Sequence, residues 1–246
     1  MPSVDMKFVR NRQHEIRRAI QRSSPALIYN GTLGIVIIAR SKKTLRPRIG
    51  KILDRLAIVS RGELSGSDSV HNIAALEART RAHFESKEDV RGSDSVQAIS
   101  DVLSNRYHAF FGPPLAVESC LVQLNDTPDT DYMAHIDPDG SIQPFERILF
   151  MGSIEKTHGT SSRDSEHEDE SSHTRDHPSH ESLKQFNDQL QETWRDYGSV
   201  EDLLEALKAI PELESLFTPL KRRDIVLLER AALLKQDYRN IFRRLT

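Results

Sequence analysis

The chain has 246 residues, 34 basic and 37 acidic, for a formal net charge of −3. That length holds one large domain or two small ones, and the near balance of charge leaves no electrostatic case for nucleic acid or an anionic membrane as partner. The single cysteine, Cys120, excludes an internal disulfide and a cysteine-built metal site, and no apolar run approaches the roughly 20 residues that span a bilayer.

Residues 1–22 read as a basic helix. Lys7, Arg10, Arg12, Arg17, Arg18 and Arg22 stand against only Asp5 and Glu15, while Val9, Ile16, Ala19 and Ile20 make a thin apolar stripe at helical spacing. The stretch is too charged for a signal peptide and its stripe too thin to lie on a membrane, so a soluble protein of a reducing compartment, the cytoplasm, is expected. Two strands follow at about 25–30 and 33–39, with Asn30-Gly31 as the hairpin signal between them. The second run, LGIVIIA, is apolar on both faces and belongs inside a stack of layers. A third strand, Leu56–Ser60, ends at Gly62.

Two helices then open with the same five residues, Gly66-Ser-Asp-Ser-Val70 and Gly92-Ser-Asp-Ser-Val96, where Ser or Asp would cap the first turn. Val96, Ile99, Leu103, Tyr107 and Phe110 form one stripe, stopped by Gly112-Pro-Pro114. Strands return at about 116–124, 131–136 and 145–151, the second and third joined through the turn Asp137-Pro-Asp-Gly140. Leu183, Phe186, Leu190, Trp194 and Tyr197 mark a further helix, and Ser199 caps another over Val200 to Ile210. Strand-like runs close the chain at Asp224–Leu228 and Tyr238–Leu245.

Residues 157–182 contain no aliphatic or aromatic side chain, seven acids, two arginines and five of the ten histidines. Such a segment cannot bury enough apolar surface to offset its chain entropy, which predicts a mobile acidic insertion. It does not preorganise its histidines for a metal. The remaining histidines, His14, His71, His83, His108 and His135, show no ligand spacing, and no cofactor or metal is expected. A β-rich chain with paired helices in two places predicts an α+β fold with four layers, helices covering both faces of two stacked sheets.

In this order and spacing the segments ALIYNGTLGIVIIARSKK, KILDRLAIVSRGEL, YMAHIDPDGSI, ILFMGS, SVEDLLEALKAI and YRNIFRRLT resemble the α-type subunit of bacterial, actinobacterial-type 20S proteasomes. The resemblance spans nearly the whole chain outside 157–182. It implies the αββα sandwich of the N-terminal-nucleophile (Ntn) hydrolases with an N-terminal helix, as residues 1–22 (gate and helix) and a domain over 23–246. It also implies that the Thr32 of Gly31-Thr32 is no catalytic threonine. In catalytic relatives the nucleophile begins the first strand, which falls here near Arg22-Ser23. Ser23 and Ser24 could serve only after removal of residues 1–22, and the catalytic aspartate position falls at or next to Ile38. A threonine needs its free amine or a lysine as base.

The implied role is that of a noncatalytic ring subunit. It would assemble with identical α subunits and with proteasome β subunits, gate the entry of unfolded protein substrates, and dock an AAA+ ATPase or other activator ring. The family's docking lysine, which pairs with a tail carboxylate, matches Arg48, with Lys51 close by. A guanidinium keeps that chemistry. The gate would be Met1, Pro2, Ser3, Val4, Asp5 and Met6. Two alternatives stand beside this reading: a catalytic threonine or serine peptidase of the Ntn type, and a ring-forming scaffold of the same fold without a protease partner.

Overall fold

Strands that are apolar on both faces need a layer on each side, and the chain supplies them. The computed structural model describes residues 6–39, 48–109, 112–152, 180–217 and 224–245. Helix α1 (Met6–Gln21) leads into strands β1 (Ala26–Gly31), β2 (Gly34–Ala39), β3 (Ile49–Leu53) and β4 (Leu56–Gly62). Helices α2 (Leu64–Phe84) and α3 (Gly92–His108) follow, then β5 (Val117–Gln123), β6 (Tyr132–Ile136), β7 (Ile142–Pro144) and β8 (Ile148–Met151). Helices α4 (His180–Glu192), α5 (Val200–Lys208) and α6 (Glu214–Phe217) precede β9 (Ile225–Glu229), α7 (Arg230–Leu234) and β10 (Phe242–Arg244).

The strands form two antiparallel five-stranded sheets, in the orders β10-β9-β2-β1-β8 and β3-β4-β5-β6-β7. The period of two along each strand decides the layering. Ala26, Ile28, Ile35 and Ile37 meet Ala57, Val59, Cys120 and Val122 between the sheets. Leu27, Tyr29, Val36 and Ile38 face the other way, onto Phe186, Leu190, Leu203 and Leu207 of α4 and α5. Ile58, Leu121 and Ala134 face Val70, Ala74, Val96 and Ile99 of α2 and α3. This is the αββα sandwich. Helix α1 lies across one end, where Ile16 and Ile20 pack on Ala116 and Tyr107 and Arg12 donates to the carbonyls of Arg106 and Ala109 at the end of α3.

Several sequence expectations move. Asn30 and Gly31 belong to β1, and the two-residue turn is Thr32-Leu33, because Gly31 pairs with Gly34 and Gly34 takes the positive φ of +127°. Strand β3 was not expected: it is an edge strand interrupted by Gly50 and the exposed Lys51. Strand β7 was missed too, and it rather than β8 pairs with β6; β8 joins β1 in the other sheet. The repeated pentapeptides do not cap by serine or aspartate. α2 already begins at Leu64, and neither helix has a side-chain cap from its N-cap residue. Glycine is there for close approach instead. A Cβ on Gly66 would stand 3.1 Å from Val117 Cβ, and one on Gly92 would stand 2.9 Å from Leu121 Cδ2. The Gly92 N–H donates to Gln123 Oε1 at 2.6 Å, so a β5 side chain satisfies the helix start. Trp194 and Tyr197 lie beyond α4, packed around Tyr29. Ser199 does cap α5, accepting from the Asp202 N–H. Met1–Asp5, Phe110 and most of 157–182 lie outside the described residues.

Candidate functional site

The head of β1 is closed by a charged side chain from the other sheet. Arg61 and Glu118 stand directly opposite one another in the β4–β5 ladder, on the phase that Val59 and Cys120 send between the sheets. Arg61 is only 2% exposed. Its Nη2 donates to the Ile20 carbonyl at 2.8 Å and its Nε to Ser23 Oγ at 3.1 Å. Ser23 Oγ in turn donates to the Ile20 carbonyl at 2.6 Å. Arg61 Nη1 lies 2.9 Å from Glu118 Oε1, which accepts no well-aligned hydrogen bond, so that contact is ionic. Ser23 thus sits just past the C-terminal end of α1, tied to the backbone on one side and to a guanidinium on the other. Thr32 is exposed in its turn, where its backbone N–H donates to Asp196 Oδ1 at 3.0 Å. Ile38 is fully buried under α4 and α5, with no carboxylate at that position.

Behind Arg61 the array continues. His135 of β6 presents Nε2 to Glu118 Oε2 at 3.6 Å and Nδ1 to Asp137 Oδ1 at 3.8 Å. Ligand atoms of Glu118, His135 and Asp137 lie within 4.8 Å of one another. The imidazole nevertheless meets its two carboxylates through opposite ring nitrogens, and Glu118 already faces a guanidinium. This is a row of guanidinium, carboxylate, imidazole and carboxylate, not a metal cage. Burial works against the Glu118 carboxylate, but Arg61 and then His135 outweigh it and hold its pKa below the ordinary value. Burial also works against the His135 cation, and Glu118, with Asp137, outweighs it and raises that pKa.

Arg48, just before β3, is half-buried, and its Nη1 is buried with no partner among the described residues. Burial and then the charge of Arg61 lower its pKa. The backbone around it is fixed. Its carbonyl accepts from the Ser60 N–H at 3.2 Å, and Ser60 Oγ meets His71 Nε2 at 3.1 Å. The His71 ring lies on Gly50, where a Cβ would stand 2.6 Å from Nδ1. Burial pushes the His71 pKa down to about 4. Lys51 is exposed and pairs with Asp54 at 2.8 Å. The two side chains differ in setting: Arg48 has a donor with no partner among the described residues in a half-buried position, whereas Lys51 is an ordinary surface ion pair. Of the gate residues, Met6 opens α1.

No family model matches the chain. Among curated proteins it is similar to proteasome subunit alpha of Geodermatophilus obscurus, 23% identical over 146 residues, which are 59% of this chain and 50% of that protein. Proteasome subunit alpha of Saccharopolyspora erythraea is 24% identical over 162 residues, covering 65% and 62% of the two chains. The chain is thus similar in sequence to actinobacterial proteasome α subunits. The matched region spans about half to three-fifths of the length of those curated proteins. Sequence reasoning did not find the Arg61–Glu118–His135–Asp137 array, because its members meet only through strand register. A signal was present: Arg61 and Glu118 are charged residues inside otherwise apolar runs, on the phase of their buried neighbours.

Proposed function

We propose that the chain is a noncatalytic α-type subunit of a bacterial 20S proteasome-like particle in the cytoplasm. Identical copies form the outer ring, threonine-bearing β subunits pack beneath it, and unfolded protein enters through a pore gated by Met1–Met6. A AAA+ ATPase or other activator ring docks through tail carboxylates at Arg48. The observation that carries this reading is the head of β1. An N-terminal nucleophile needs a free amine or a lysine beside its hydroxyl. Here the backbone runs on into α1, and Ser23 Oγ is committed to Ile20 and Arg61. Docking is supported by Arg48 Nη1, a donor with no partner among the described residues on a half-buried cation, which suits a carboxylate.

The test is co-expression with a proteasome β subunit from the same genome. The expected result is a particle containing both chains, with peptidase activity that disappears when the β threonine is replaced. Peptide cleavage by this chain alone, abolished by Ser23→Ala or Thr32→Ala, would establish the peptidase alternative. Rings that never recruit a β subunit would establish the scaffold alternative.

A further inference from the structure

The His135 imidazole, its side chain 14% exposed, lies between two carboxylates that face opposite nitrogens. A neutral imidazole carries one N–H and one lone pair. Whichever nitrogen holds the proton, the other turns its lone pair toward a carboxylate oxygen. Only the imidazolium gives both Glu118 and Asp137 a positive neighbour, at 3.6 and 3.8 Å, contacts that are ionic rather than hydrogen-bonded. The surrounding charge is in keeping with this: Arg61 and a charged His135 balance Glu118 and Asp137. Cys120 stands opposite His135 on β5 and Gln143 opposite it on β7. Gln143 is neutral and donates to Asp137 Oδ2 at 2.7 Å, and the buried Cys120 thiol is pushed up out of the titrating range. Arg48 adds positive charge through its proximity to Arg61.

Glu118 is what joins this site to α1. One carboxylate oxygen faces His135 and the other faces Arg61, whose guanidinium holds Ile20 and Ser23. We propose that His135 is a proton-operated fastener for α1. Charged, it bridges Glu118 and Asp137 and keeps Glu118 aligned on Arg61; neutral, it leaves a lone pair against a buried carboxylate, and the end of α1 loosens. The direction follows from linkage. A histidine whose pKa is raised in the folded state contributes its stability fully below the unfolded value of 6.5 and loses it as pH rises through the folded value. The fastener is therefore closed below the unfolded value and opens as pH rises through the higher folded value.

The experiment follows the His135 ring protons by NMR in the full chain, assigned by comparison with His135→Gln, together with amide exchange of residues 12–21 corrected for its intrinsic pH dependence. The expected midpoint lies above 6.5, corrected α1 exchange rises several-fold as pH passes through it, and His135→Gln loses that step. Asp137→Asn should move the wild-type midpoint down, which keeps the test decisive if the glutamine variant does not fold. A midpoint at or below 6.5, or α1 exchange that ignores the midpoint, overturns the proposal. So does a shift of the His135 signals by one equivalent of Zn²⁺ in the micromolar range, which would make the cluster a cation site.

Discussion

Replacing Arg61 by methionine should destabilise the chain more than any surface change, and from the end that α1 covers. The methionine keeps most of the apolar stem and removes the guanidinium. Glu118, 8% exposed, is left without the cation it faces at 2.9 Å, and the Ile20 carbonyl and Ser23 Oγ each lose a donor. Removing one partner of a buried pair costs about 3–5 kcal/mol, and the two lost contacts to α1 place this case near the upper end. At about 2–4 °C per kcal/mol for a chain of this size, 5 kcal/mol is a fall in Tm of roughly 10–20 °C. The double variant Arg61→Met, Glu118→Leu removes both charges and should regain more than half of that loss, because no buried charge is left uncompensated. Urea unfolding followed by circular dichroism gives the free energies, and amide exchange locates the first segment to open, expected at residues 12–21. A loss below about 1 kcal/mol, or a double variant no better than the single one, would refute the buried-pair argument.

Gly92→Ala should cost about 1–3 kcal/mol in the same urea assay, since the new methyl would stand 2.9 Å from Leu121 Cδ2 and 3.0 Å from Gln123 Oε1. His71, with its pKa depressed to about 4 by burial, contributes stability that is present above its unfolded value and is lost as pH falls through the range from about 6.5 to about 4. The Tm of His71→Gln should therefore decline less steeply than wild type across that window. Arg48→Ala should leave the fold intact and abolish most ATPase-stimulated degradation in a reconstituted particle, while Lys51→Ala, which breaks only an exposed pair worth about 0–1 kcal/mol, should leave it unchanged. Full stimulation in the Arg48 variant would place docking elsewhere.

The layered plan was legible because it rests on patterns that neighbours in sequence share. GIVIIA is buried at every position, which identifies an interior strand without knowledge of its partners. Ser199 capping Asp202 is a contact across three residues and was equally visible. Strands β3 and β7 were not, since Gly50, Lys51 and Pro144 are poor strand formers kept in place by pairing with β4 and β6. The shared pentapeptide misled because serine and aspartate advertise caps, whereas the glycine was answering to Val117 and Leu121 across the helix–sheet interface. Arg48 came from resemblance alone. What distinguishes it from Lys51, burial with an unmet donor against an exposed pair with Asp54, exists only once β3 is folded against β4.

The anchoring of α1 also sets an order of events in time. Its contacts reach far along the chain: Arg61 is 41 residues beyond Ile20, and the carbonyls that Arg12 caps lie 94 and 97 residues beyond it. Ribosomes add about 5–20 residues per second, so α1 emerges roughly 5–20 s before the last of these partners does. Through that interval it has neither the Arg61–Glu118 pair nor the end of α3 to rest on. An element that precedes nearly everything it docks against is among the last to be fixed, and a nascent chain whose synthesis stops short of β5 displays a free basic helix.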